Sequence, residues 1–275
     1  MKLNIVPART GLTWVREGVK TFFRQPLAMS GLFFLYMAAG SVLALLPVIG
    51  VIFALMIVPA ATLGLMAATQ EAVKGKFPMP TVLISAFRAG RQRLRAMMIL
   101  GGIYAGLCLA VALIVPLLVG AAPEAAPAAG AGQEAMMTPQ FQLSLLVTML
   151  FYLPISLLFW HAPALVHWHG ISPVKSLFFS MVACFRNMGA FMVYGLGWLA
   201  VFLCMGVVIS LLASVLGSPE AMGAVVLPMA LLMAAMFSTS IFFTFRDSFV
   251  AEPDDAADNI VSSGNTPSPP NNDSP

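Results

Sequence analysis

The sequence predicts an all-α integral membrane protein with six transmembrane helices in three pseudo-repeated pairs, each pair preceded by a cytoplasmic amphipathic interfacial helix. Three observations carry this. Hydrophobic residues make up 60% of the 275 and charged residues only 9%, against about 25% charged in a soluble domain. Six stretches, about 27–46, 49–69, 96–119, 141–165, 188–216 and 221–245, are long enough to cross a hydrocarbon core of about 30 Å and contain no Asp, Glu, Lys or Arg. That absence matters because a charge at the centre of a span costs about 2.5–3.5 kcal/mol on insertion scales. Finally, all 14 Lys and Arg fall before span one, between spans two and three, between spans four and five, or after span six. The positive-inside rule then places both termini in the cytoplasm. The net charge of +3 is therefore a topology signal and does not point to nucleic acid.

Taken in order, the start of the chain, MKLNIVPARTGL, has no apolar core of the signal-peptide type, so span one is expected to act as an uncleaved insertion signal. Residues 12–24 put Leu12, Val15, Val19, Phe22 and Phe23 on one helical stripe and Arg16, Glu17 and Lys20 on the other face, which predicts an amphipathic helix in the headgroup layer. A tight turn at residues 46–50 joins spans one and two, and Pro59 inside span two predicts a kink. Residues 81–95, TVLISAFRAGRQRLR, repeat the amphipathic theme. Arg88, Arg91, Arg93 and Arg95 there form a basic surface expected to attract anionic lipid at about 1 kcal/mol per charge.

Residues 120–140 form an Ala/Pro/Gly loop without aromatic or basic residues, a composition that cannot bury a core and so excludes a periplasmic catalytic domain. Span four carries Pro154 and Pro163 and leads into Ser172-Pro173, read as an N-cap followed by proline at the first helical position. The next helix should turn a face of Val174, Leu177, Phe178, Met181, Val182 and Phe185 to an apolar surface. The acidic Pro/Ser/Asn-rich segment 251–275 is expected to be a disordered cytoplasmic tail, leaving 1–250 as a single polytopic membrane domain.

The three elbows look alike. Phe23-Arg24, Leu94-Arg95 and Phe185-Arg186 each close a basic amphipathic segment before an odd-numbered span, and Tyr36, Tyr104 and Tyr194 follow within the span. If the pairs are true repeats, the three tyrosine hydroxyls are candidates for a shared ligand site on one axis.

Other chemistry is sparse. Cys108, Cys184 and Cys204 make no disulfide framework or CxxC spacing and read as small buried hydrophobes. His161, His167 and His169 are a second candidate ligand-binding group. Their spacings of six and two do not converge on a continuous helix, and no HExxH pattern accompanies them, so no metal and no cofactor is expected. Ser238-Thr239-Ser240 is the densest hydroxyl cluster within a span, expected to bond helix backbone, and Arg246-Asp247 reads as a helix-end pair. An ion-coupled transporter would place an ionisable acid or base inside the bilayer, and the spans carry no carboxylate, Lys or Arg.

The segments VPARTGLTWVREGVKTFFRQPLAMSGLFFLYM and HAPALVHWHGISPVKSLFFSMVACFRN resemble an uncharacterised family of proteobacterial six-span inner-membrane proteins, over about residues 5 to 250 apart from the outer loop. More distantly, the layout is similar to the membrane domain attached to some bacterial glycerophosphodiester phosphodiesterases, although no catalytic motif of those enzymes is in the sequence. The resemblance implies a bacterial inner membrane and a fold, and transfers no functional residue.

These readings together predict a non-enzymatic inner-membrane protein that handles lipid or a small apolar molecule, or supports envelope organisation. The alternatives are an uncoupled channel or facilitator, and a membrane enzyme using the His161/His167/His169 region.

Overall fold

The computed structural model describes residues 2–47, 49–120, 138–216 and 219–250. The bulk of the outer loop, 121–137, and the tail from 251, both expected to be unstructured, lie outside the described residues. Six helices are long and apolar enough to cross a membrane. These are α2 (Pro26–Ala44), α3 (Ile49–Val73), α5 (Arg91–Val119), α6 (Pro139–Phe159) continued by α7 (Ala162–His169), α9 (Met188–Leu216) and α10 (Pro219–Ser248). Their placement agrees with the six predicted spans.

The ends of these helices have local causes. Pro26 and Pro139 open α2 and α6 at positions where a missing N–H leaves no bond unmade. Thr138 caps α6 by accepting a hydrogen bond from the Phe141 N–H at 3.3 Å. Span four breaks at Trp160-His161 because Pro163 can neither donate to the Phe159 carbonyl nor pack its ring against it. The break divides the span into α6 and α7. Pro59, Pro116, Pro154 and Pro228 all sit inside continuous helices.

The first interfacial segment forms α1 (Thr10–Arg24) and the third forms α8 (Pro173–Arg186), but the second departs from expectation. Residues 81–95 are not one amphipathic helix. A 3-10 turn at Pro80–Ile84 and the short α4 (Ser85–Arg88) end at Ala89-Gly90, where Gly90 takes φ +95. Only glycine adopts such a conformation without strain, and it uncouples the two pieces. Arg91, Arg93 and Arg95 therefore belong to the first turns of the span helix α5.

Helix α1 also differs from a helix lying loosely in the headgroup layer, because it packs against α9 and α10. Its buried face is Gly11, Trp14, Val15, Gly18, Thr21 and Phe22, while Leu12 and Phe23 of the expected stripe stay exposed. A Cβ at Gly11 would collide with the Ala190 carbonyl and one at Gly18 with Ser240, so both glycines let the backbones meet. Helix α8 is turned further still. Ser176, Leu177, Ser180, Ala183 and Cys184 face inward, while Val174, Phe178 and Phe185 face out, Phe178 being 63% exposed. Its large apolar side chains thus serve the bilayer and its small polar ones the protein. Ser172 sits at the N-cap position with Pro173 after it, as read from the sequence, but its side chain makes no capping hydrogen bond.

The two ends of the described chain meet. Lys2–Leu3 (β1) pairs antiparallel with Phe249–Val250 (β2), and the Asn4 N–H donates to the Ser248 carbonyl at 2.9 Å. Buried Asn187, between α8 and α9, locks this clasp. Its Oδ1 accepts from the Val6 N–H at 2.9 Å, and its Nδ2 donates to the Asn4 carbonyl at 3.1 Å. Both ends of the six-span region therefore lie at one face, here called the basic end. At that end Arg246 pairs with Asp247 at 2.7 Å, a helix-end pair as expected, and Asp247 also accepts from the Trp14 indole at 2.9 Å.

Burial is uneven along the helices. In the basic half, Met29, Leu32, Leu63, Met66, Met97, Leu100, Phe159, Tyr194, Trp198, Met233 and Phe243 pack into one core. In the far half, Val42, Val51, Leu117, Leu150, Leu203, Leu211 and Leu227 are exposed, and Val115 is a rare buried exception.

Candidate functional site

Two polar constellations lie at the basic end, both built on the bend between α6 and α8. The first is closed. His161 is 0% exposed, at the break after α6. Its backbone N–H donates to Ser180 Oγ at 2.9 Å, and Ser180 in turn donates to the Leu157 carbonyl at 2.8 Å. Thr244 Oγ1, on α10, donates to the Ile241 carbonyl at 2.7 Å. Having spent its one proton there, it accepts from the Trp160 indole at 3.0 Å and from His161 Nε2 at 3.3 Å. The imidazole thus carries its proton on Nε2 and turns Nδ1 toward Cys184 Sγ, 3.9 Å away. Phe191, Phe245 and Phe249 close around the ring.

This pairing of thiol and imidazole is not an activated nucleophile. Burial pushes the Cys184 thiol up to about 12, whereas reactive cysteines have lowered values and access to substrate. The arrangement joins span four, α8 and span six through hydrogen bonds that would otherwise go unmade at the proline break. The other histidines lie apart from it. His169 packs its ring against Phe245 at 6.0 Å, and His167 is half-buried within electrostatic reach of Arg93. Among the described residues no three of His, Cys, Asp and Glu come close enough to hold a metal ion.

The second constellation is open. A cavity of about 370 Å³ lies between the start of α5 and the α7–α8 turn. Gln92, Arg93, Arg95, Ser172 and Pro173 form its polar side, and Ala96, Ile99, Val166 and Ile171 its apolar wall. Gly170, in the left-handed conformation that ends α7, turns the chain so that the amino end of α8 joins this rim. Arg93 and Arg95 have no carboxylate within ion-pair distance among the described residues. A cationic rim above an apolar wall accommodates an amphiphile with an anionic head. Arg88 and Arg91 are exposed nearby in sequence but do not line the cavity.

Two of the three candidate tyrosines come near one side chain, since Tyr152 lies within electrostatic reach of both Tyr36 and Tyr104, while Tyr194 has other surroundings. Tyr104 shares a hydrogen bond of 3.1 Å with Tyr152, and Tyr194 one of 2.6 Å with Ser240. Tyr194 also sits among Trp14, Trp160 and Phe237. Tyr36 lines a cavity between α2 and α3. The sequence reading missed Tyr152, Ser180, Thr244 and the Ser172 rim. Thr244 carried a usable signal, a hydroxyl one turn beyond Ser240 on the same helix. Nothing in the sequence ties Ser180 to a residue nineteen positions earlier. Cys204, read as a buried hydrophobe, is exposed, while Cys184 is buried as expected and Cys108 lies between.

No family model matches the chain, and no solved structure matches it. A curated protein of Burkholderia thailandensis, named a probable inner membrane protein, is 36% identical over 259 residues, covering 92% of this chain and 96% of that protein. An alignment covering 92% of the chain takes in all six spanning helices. The chain accordingly belongs to the same family of inner-membrane proteins as its Burkholderia relative.

Proposed function

We propose that this protein is a non-enzymatic lipid-handling protein of the bacterial inner membrane that holds anionic phospholipid headgroups at its cytoplasmic face. The cavity between α5 and the α7–α8 turn carries the reading, because two arginines without an acidic partner border an apolar wall at the membrane boundary. Guanidinium groups bind phosphate with paired donors, and the amino end of α8 adds donors of the same sign. In this reading the basic end faces the cytoplasm by the positive-inside rule, Arg88 and Arg91 supply further attraction to anionic lipid, and the exposed aromatics of α8 lie in the interface.

An uncoupled channel or facilitator has less support, since Trp14, Trp160, Tyr194, Trp198 and Phe237 fill the basic half where a path would run. The enzyme alternative has less as well, since His161 is closed off.

The test is binding to nanodiscs or vesicles containing phosphatidylglycerol against phosphatidylcholine alone, with lipid carried through purification counted by mass spectrometry. At about 1 kcal/mol per charge near a membrane surface, the double variant Arg93→Gln/Arg95→Gln is expected to weaken the anionic preference by roughly ten- to thirtyfold. Equal retention of phosphatidylglycerol by both proteins would remove the reading.

A further inference from the structure

A second site lies inside the membrane, away from the arginine cavity and independent of it. A cavity of about 330 Å³ opens between α2 and α3, with Tyr36, Gly40 and Ser41 on one side and Val51, Leu55 and Val58 on the other. That volume falls within the range of about 300–1,000 Å³ typical of small-molecule pockets. Its lining is almost wholly apolar apart from two hydroxyls, those of Tyr36 and Ser41. Neither has a hydrogen-bond partner among the described residues.

Several hydroxyls elsewhere in the spans have protein partners. Thr62, Thr69 and Ser210 each donate to a carbonyl one turn back at 2.9 Å, and Tyr104 and Tyr194 each find another hydroxyl. Tyr36 stands about 15 Å along α2 from its start at Pro26, which is the middle of a hydrocarbon core of about 30 Å. A phenolic O–H at that depth has no water to turn to, and leaving it unpaired is unfavourable.

We infer that this cavity binds a neutral, membrane-soluble molecule bearing a carbonyl, whose oxygen accepts a hydrogen bond from Tyr36 while its apolar body lies against α3. Depth narrows the ligand class. Phospholipid ester carbonyls sit near the headgroup boundary, about 15 Å from the mid-plane, and are tethered there by the charged head. A ligand that brings a carbonyl to mid-depth must lack such a head. A lipid quinone or a neutral glyceride has this chemistry. Ser41, five residues beyond Tyr36 on the same helix and lining the same cavity, supplies a second donor to the same molecule.

Two substitutions test the assignment without disturbing the fold. Tyr36→Phe removes a hydroxyl that has no protein partner, and Gly40→Leu fills the cavity from a position where an added Cβ meets nothing within 4 Å. Purified full-length protein in detergent is titrated with decyl-ubiquinone, with dioctanoylglycerol and with hexadecane, and binding is followed by native mass spectrometry alongside thermal unfolding.

At least one carbonyl ligand should bind saturably, about five- to tenfold more weakly to Tyr36→Phe, the loss expected for one hydrogen bond. It should bind hardly at all to Gly40→Leu, with both variants unfolding as the wild type does. Hexadecane should show no dependence on Tyr36. The carbonyl ligand affected identifies the source as quinone or glyceride. Wild-type affinity of Tyr36→Phe for both carbonyl probes, or no saturable binding of either to wild-type protein, would overturn the inference.

Discussion

The two halves of the bundle are made from the same helices and nearly the same amino acids, yet only one is interlocked. In the basic half, Gly11 and Gly18 bring α1 against α9 and α10, and Thr244, Ser180 and Ser240 are shared between helices. In the far half, Gly40, Gly106 and Gly206 are just as small, but nothing lies within 4 Å of where a Cβ would stand; Gly50, at the α2–α3 turn, is the exception, since a Cβ there would meet the Leu43 carbonyl. Small residues alone therefore do not bring helices together here. Between lipid-bathed helices there is little hydrophobic drive, because acyl chains are as apolar as leucine. What separates the halves is that the basic half adds hydroxyls, indoles and Asn187 that bond across to a neighbouring element.

The largest expected contrast is between two apolar truncations. Trp14→Ala should destabilise by about 3–5 kcal/mol, since it empties a fully buried site and strips Asp247 of its indole donor. Leu203→Ala, on a side chain 63% exposed to the bilayer, should change stability by less than about 0.5 kcal/mol. Reversible unfolding in mixed micelles reads both. Similar losses at the two sites would erase the distinction between the halves.

A smaller contrast comes from adding one methyl group. Gly18→Ala drives a Cβ into Ser240 and should cost about 1–3 kcal/mol, whereas Gly206→Ala meets open space and should stabilise its helix by about 0.5–1 kcal/mol. Opposite signs in the unfolding midpoint are the expected result.

The smallest effect is confined to alkaline solution. The Cys184 thiol is held up to about 12 in the folded protein, against about 8.5 for a free cysteine. Between those values the unfolded chain gives up the proton and the folded chain keeps it, so stability falls as pH rises above about 8.5 and is unaffected below. Cys184→Ala should flatten that decline, as measured by denaturant midpoints from pH 8 to about pH 10.5.

Much of this fold was legible from elementary rules. The six spans follow from uninterrupted apolar runs. The elbows were harder. Residues 81–95 have the period of an amphipathic helix, but Gly90 overrides the pattern by turning the backbone through positive φ. The stripe on α8 was legible as apolar, and Val174, Phe178 and Phe185 do lie on the outer surface, but Leu177 of the same stripe turns inward with Ser176 and Ser180. Trp14 went unrecognised as the centre of α1 because it falls between Gly11 and Gly18, and only the approach of α9 and α10 makes that face the buried one. The candidate sites were less legible still. Arg93 and Arg95 were visible as charge, but their facing rim at Ser172 and Pro173 comes from almost eighty residues later in the chain.

The packing of α1 has a consequence for biogenesis. Its buried face rests mainly on Ala190 and Ser240, so the first helix to be made lacks its main partners until the last two spans have been synthesised. At about 5–20 residues per second, translation from residue 14 to residue 247 occupies roughly 10 to 45 seconds. Throughout that interval the tryptophan face of α1 stays unsatisfied, and the Asn187 clasp can shut only once Phe249 and Val250 have been made. A truncated product that ends before α10 would keep that face open permanently, marking itself as unfinished.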